Sequence, residues 1–136
     1  MRYSSVDDAG QVINPMVVHG QTHGGIVQGA GQALCEAVAH DPDTGQVLSA
    51  SFMDYAMLRA DQMPNFSVEM VEDPIANNKL RVKGGGEAGI TPALATIMNA
   101  IVDALSVHGI TTFEMPATPG RIWSAIQEAR KMGTKT

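Results

Sequence analysis

The chain has 136 residues, enough for about one ordinary domain and too few for two. Apolar residues make up 44% and aromatics only 4%, so a core has to come from Ala, Val, Ile, Leu and nine Met. Nine Lys and Arg against fourteen Asp and Glu give a net charge of −5, the reverse of what binding nucleic-acid phosphates requires, and that class is set aside.

The predicted elements follow in chain order. Tyr3–Val6 and Gln11–Ile13 read as strands flanking an Asp7-Asp8-Ala9-Gly10 turn, and Asn14-Pro15 reads as a break. From about Gly20 to His40 the pattern turns helical, with Ile26, Ala30, Ala33, Leu34, Ala37 and Val38 on one face. Asp41-Pro42-Asp43-Thr44-Gly45 ends it, and short strands are expected at Gln46–Ser49 and Ser67–Val71. Residues 73–89 read mostly as loop. A second helix begins with Thr91 as N-cap and Pro92 as first helical residue, and carries Leu94, Ile97, Met98, Ile101, Val102 and Leu105 as its stripe. Ile110–Met115 reads as a strand, and Thr118-Pro119 starts a third helix. Trp123 and Met98 are assigned to the core. The fold class is α+β, with short strands packed on about three helices in a single domain or domain fragment over residues 1–136. No run of ~18 apolar residues is expected to span a membrane. The lone Cys35 excludes an internal disulfide. With no apolar signal core in Met1–Asp8, the expected setting is cytoplasmic.

Two glycine-rich segments are the candidate chemistry. In Val82-Lys83-Gly84-Gly85-Gly86-Glu87-Ala88-Gly89, three consecutive glycines leave bare amides for a ligand to approach, and Glu87 follows directly as a possible general base. The plainer alternative is a surface loop with an incidental acid. Gly84, Gly86 and Gly89 also match a G-x-G-x-x-G dinucleotide fingerprint, but Leu80–Lys83 is a poor buried strand and nothing frames it. In the first helix, Gly24, Gly25, Gly29 and Gly31 each cost about 1 kcal/mol relative to Ala. Either close helix packing or a ligand lying against the backbone beside Gln28 accounts for them. His19 and His23 share a helical face without a third ligand nearby, so a fraying first turn is preferred to a metal pair. Cys35 reads as a buried structural thiol. Lys79–Lys83 is either a solvated basic edge or a source of positive potential beside the glycines.

Taken in order, several segments resemble the C-terminal part of the molybdenum-binding large subunit of the xanthine dehydrogenase and aldehyde oxidase family. They are Val6-Asp7-Asp8 with Asn14-Pro15, Gly20-Gln21-Thr22-His23-Gly24-Gly25-Ile26-Val27-Gln28-Gly29-Ala30-Gly31, Asp54-Tyr55-Ala56, Lys83–Gly89, Asn99–Leu105, and Thr118-Pro119 with Ile122-Trp123. The likeness is nearest to bacterial aerobic carbon monoxide dehydrogenase-like large chains.

The resemblance implies a molybdenum–molybdopterin cofactor, expected in its cytosine dinucleotide form, whose metal takes no protein ligand. It implies hydroxylation of an aldehyde, N-heterocycle or similar small molecule with oxygen derived from water. Glu87 matches the family's general base; Gln28, Gly29, Gly85 and Gly86 match positions beside the cofactor. The implied partners are the remainder of the molybdenum subunit, an iron–sulfur subunit and an FAD subunit. Leu58 stands where the family usually has Pro, and Asn78-Lys79-Leu80-Arg81 where it often has Asn-Pro-Leu-Gly. The alternative is a catalytically inactive truncated fragment, or an oligomeric module that folds without cofactor.

Overall fold

A computed structural model describes residues 2–133. Strand β1 (Tyr3–Asp8) pairs in parallel with β2 (Phe66–Val71), Tyr3 opposite Phe66 and Asp8 opposite Val71. Helices α1 (Pro15–Leu34), α2 (Ile90–Leu105) and α3 (Pro119–Gly133) complete the α+β architecture. The chain divides into two compact units, Met1–Gly29 with Leu58–Ala93 and Ala30–Met57 with Leu94–Thr136.

In the first unit the expected β1 hairpin is replaced by a parallel pair. Asp7 and Asp8, read as a turn, continue the strand, and the reversal comes at Gly10, whose φ of +66° suits glycine. Gln11–Ile13 forms no strand: the Gln11 amide donates to the Arg81 carbonyl at 2.9 Å, so its partner lies far along the chain. Asn14-Pro15 starts α1 instead of breaking the backbone. The Asn14 side-chain oxygen accepts from Val17 N–H at 3.2 Å, and Pro15 occupies the position where a missing N–H costs nothing. Rings of Tyr3, Phe66 and His23 form an edge-to-face cluster, with centroids 5.9 Å and 5.4 Å apart, that joins β1, β2 and α1. His23 is thus used in packing, and His19 meets it edge to face, with centroids 6.2 Å apart. Ala9, Thr22, Ile26 and Ala93 are buried.

In the second unit, α1 ends at Leu34, six residues before the expected limit. Both Cys35 and Glu36 N–H groups donate to the Gly31 carbonyl (2.9 and 2.8 Å), and the Glu36 carboxylate folds over Gly31, where a Cβ would meet Oε1 at 2.1 Å. Tyr55 O–H donates to the other Glu36 oxygen at 2.5 Å. Gln46–Ser49 contributes only an isolated bridge from Val47 to His40, and Ile110–Met115 forms no strand. Ala30, Ala33, Ile97, Leu105 and Ala117 are buried, and the Ala117 N–H donates to the Ala33 carbonyl at 2.7 Å. Thr118 and Pro119 begin α3 as expected, but Trp123 is 63% exposed and does not belong to the core. Cys35 is half-buried; burial, then the neighbouring Glu36 charge, raises its thiol pKa and keeps it protonated and unreactive.

By length and composition alone, Ile90–His108 is apolar enough to cross a membrane, with a mean hydropathy of 1.5, although Thr91, Pro92, Thr96, Asn99, Asp103 and Ser106 interrupt it and leave no run of ~18 apolar residues. Ile90, Leu94, Ile97, Ile101, Val102, Leu105 and Val107 raise the average. The helix is amphipathic all the same: Thr96, Asn99, Asp103 and Ser106 are exposed, while Ala93, Ile97 and Leu105 are buried.

Candidate functional site

The first unit holds the glycine segment 84–89 and fixes it at each end. Upstream, Lys83 N–H donates to the Ala9 carbonyl at 2.9 Å, and its ammonium contacts both the Asp8 and Asp73 carboxylates, the latter at 3.2 Å. Asp8 also accepts from Gly10 N–H at 2.8 Å and from Asp73 N–H at 3.3 Å. The Lys83 ammonium, then the Gly10 N–H, hold the Asp8 carboxyl below its ordinary range. Asp8 in turn raises Lys83. The basic stretch therefore has its last lysine committed to an ion-pair clamp.

The clamp has a pH window set by both partners. Asp8, with its folded pKa depressed, contributes stability above its ordinary 3.8, and that contribution is lost as pH falls through the lower folded value. Lys83, raised, contributes below its ordinary 10.5 and loses it only above that. Asp8→Asn is therefore expected to lower the unfolding midpoint by a constant amount from pH 5 to 8. The difference should begin to shrink below about pH 4, where the unfolded carboxyl takes up its proton, and go on shrinking as pH falls through the lower folded value. A difference that does not shrink below about pH 4 would assign the effect to something other than the carboxylate charge.

Downstream, α2 starts earlier than its Thr-Pro signal suggests. Thr91 N–H donates to the Glu87 carbonyl at 3.1 Å, and Ile90 is already helical. Pro92 then lies within the first turn, where its missing N–H is still tolerated. The entry is fixed by backbone contact. A Cβ on Gly89 would meet the Thr22 carbonyl oxygen at 2.2 Å, and one on Gly25 would meet Ile90 N at 2.8 Å. One helix glycine, Gly25, thus serves packing against backbone, whereas at Gly31 the neighbour is the movable end of the Glu36 side chain. The other alternative is kept by Gly24 and also by Gly20, where an added Cβ would meet nothing within 4 Å.

The same test separates the loop glycines. None of Gly84, Gly85 and Gly86 has a left-handed φ; at Gly84 and Gly86 a Cβ meets nothing, and at Gly85 only Ala9 Cβ at 3.8 Å. Neither backbone conformation nor packing within the unit calls for glycine there. Open space beside a bare backbone is what close approach by a bulky cofactor needs, so these residues fit one. Glu87 is exposed, and no described residue donates to its carboxylate. Gln28 is exposed on α1 and Gly29 is buried. Gln28 makes no hydrogen bond to the glycine segment; Gln21 does, donating from Nε2 to the Gly86 carbonyl at 2.8 Å. Gln21 was missed in the sequence, although it lies seven residues before Gln28 on the same helical face. Among the described residues no group of three or more His, Cys, Asp or Glu is placed to hold a metal ion.

Comparison with known proteins bears on the family of the chain. Residues 1–64 match a family model described as a molybdopterin cofactor-binding domain. The chain is 42% identical over 118 residues to the nicotine 6-hydroxylase large subunit of Paenarthrobacter nicotinovorans, covering 87% of this chain and 14% of that protein. It is 32% identical over 127 residues to the carbon monoxide dehydrogenase large chain of Hydrogenophaga pseudoflava, covering 93% of this chain and 16% of that one. Among solved structures, the Cu,Mo-CO dehydrogenase superposes with a TM-score of 0.85 at 30% identity, over 92% of this chain and 16% of that chain. The chain spans about one-sixth of the length of these relatives. With the α+β fold and the Lys83–Gly89 segment, these matches show that the chain belongs to the molybdopterin-binding family of xanthine dehydrogenase and carbon monoxide dehydrogenase-like large subunits.

Proposed function

We propose that the chain is the base-carrying segment of a molybdenum hydroxylase, an oxidoreductase that hydroxylates an aldehyde, N-heterocycle or similar carbon substrate with oxygen derived from water. The observation that carries this reading is Glu87, whose carboxylate no described residue engages, following glycines that the unit's own packing does not require. When bound, the molybdenum–molybdopterin group, in its cytosine dinucleotide form, supplies the two-electron oxidant. Gln28, Gly29, Gly85 and Gly86 would hold it, Gly85 and Gly86 by leaving room and Gln28 through its carboxamide. Glu87 takes up the proton released as the carbon–oxygen bond forms, at a carboxylate that no described residue otherwise engages. The Lys83 clamp and the start of α2 fix its main chain.

Residues 1–136 act as one segment of the molybdenum subunit. Electrons leave through an iron–sulfur subunit and an FAD subunit of the same cytoplasmic complex. The names of the relatives, a hydroxylase and a dehydrogenase large chain, support this class of assembly.

A second reading, a cofactor-free module without catalysis, is favoured by its exposed Phe52 (84%), Met53 (93%) and Val107 (81%). The test is molybdenum and pterin analysis of the protein purified gently from its host, with identification of the chains that accompany it. Stoichiometric molybdenum with a larger partner supports the hydroxylase; a metal-free chain running alone supports the module.

A further inference from the structure

We infer that Gln21 is a positioning residue for Glu87, acting through the peptide that joins Gly86 to Glu87; this rests on Glu87 being the general base. The Gly86 carbonyl and the Glu87 N–H belong to one planar peptide unit, so a bond to that carbonyl also constrains the backbone at Glu87. Gln21 Nε2 makes that bond at 2.8 Å. Among the described residues it is the hydrogen bond that restrains the Gly84–Gly86 run, whose own amides and other carbonyls have no protein partner. Without it, three residues of the most flexible type would separate Lys83 from Glu87.

Gln21 is well placed for the task. Its neighbour Thr22 is 1% exposed and its carbonyl lies against Gly89, so the helix turn that presents Gln21 is locked to the far end of the same loop. The base is therefore held from three sides. Lys83 anchors the approach, the first turn of α2 anchors the exit, and Gln21 sets the peptide immediately before the carboxylate-bearing residue.

The test uses the assembled, cofactor-loaded complex with three variants. Gln21→Met keeps the side-chain length and removes the donor. Gln21→Lys restores an N–H donor of similar reach. Glu87→Gln controls for the base itself. The readouts are kcat and KM, molybdenum content, and amide hydrogen exchange of the peptide covering residues 84–87. Gln21→Met is expected to lower kcat roughly tenfold to a hundredfold, the scale of a displaced catalytic group. KM and molybdenum should stay near wild type, exchange in the segment should speed up, and Gln21→Lys should recover both kcat and protection.

If Gln21→Met keeps wild-type kcat and exchange while Glu87→Gln is inactive, positioning by Gln21 is overturned and the base reading stands. If Glu87→Gln keeps turnover, both fall. A Gln21→Met variant that loses molybdenum, or whose lost kcat Gln21→Lys does not recover, also overturns the inference, because Gln21 then acts elsewhere than on the loop.

Discussion

Glu87→Gln in the assembled enzyme is expected to lower kcat by roughly 10²–10⁴-fold while molybdenum content and fold stay as in wild type. Glutamine matches glutamate in size and keeps an acceptor oxygen, so what it removes is the capacity to take up a proton. The fold has little stake in the change. Glu87 is exposed, its carboxylate accepts no hydrogen bond from a described residue, and its structural duty is discharged by the main-chain carbonyl that accepts from Thr91. A fall in kcat therefore reports chemistry. Steady-state kinetics together with metal analysis checks it, and turnover within twofold of wild type at full molybdenum would remove Glu87 from the reaction.

What the sequence revealed of this site, and what it hid, divides along physical lines. Local signals were legible where the residue itself does the work. The apolar stripe of α2 and the Thr118-Pro119 start of α3 read correctly, because caps and periodicity are properties of neighbouring residues. Long-range pairing was not legible. Tyr3–Val6 reads as one arm of a hairpin, yet each residue of Tyr3–Asp8 pairs with one sixty-three positions further on, in Phe66–Val71, and only the fold brings the two together.

The same limit explains Asn14-Pro15, where one dipeptide is consistent with either a break or a capped helix start. It explains Gln21 as well. Nothing in Gly20-Gln21-Thr22 announces a bond to a carbonyl sixty-five residues further on. The glycines are the clearest case: composition left packing and ligand approach as alternatives, and the structure assigns Gly25 and Gly89 to packing against backbone while Gly20, Gly24, Gly84 and Gly86 face open space.

That division yields the second large effect. Gly89→Ala is expected to destabilise the protein by about 1–3 kcal/mol, the usual cost of forcing a methyl group into a filled space. The obstruction is backbone: a Cβ at Gly89 would lie 2.2 Å from the Thr22 carbonyl oxygen and 3.0 Å from Ile26 N, and neither can swing aside as a side chain could. Relief requires the entry to α2 to move away from α1, and Glu87 sits two residues upstream on that entry. Loss of stability should therefore come with loss of turnover.

Gly86→Ala is the contrasting variant. Its Cβ meets nothing within 4 Å and its φ is not left-handed, so stability should change by no more than about 0.5 kcal/mol. If the open space beside Gly86 belongs to the cofactor, the added methyl group lowers molybdopterin content even so. Chemical denaturation and pterin analysis of both variants separate the two kinds of glycine. Equal stability losses would show that Gly86 is a packing residue like Gly89. Wild-type stability and wild-type pterin in Gly86→Ala would place the cofactor away from that residue.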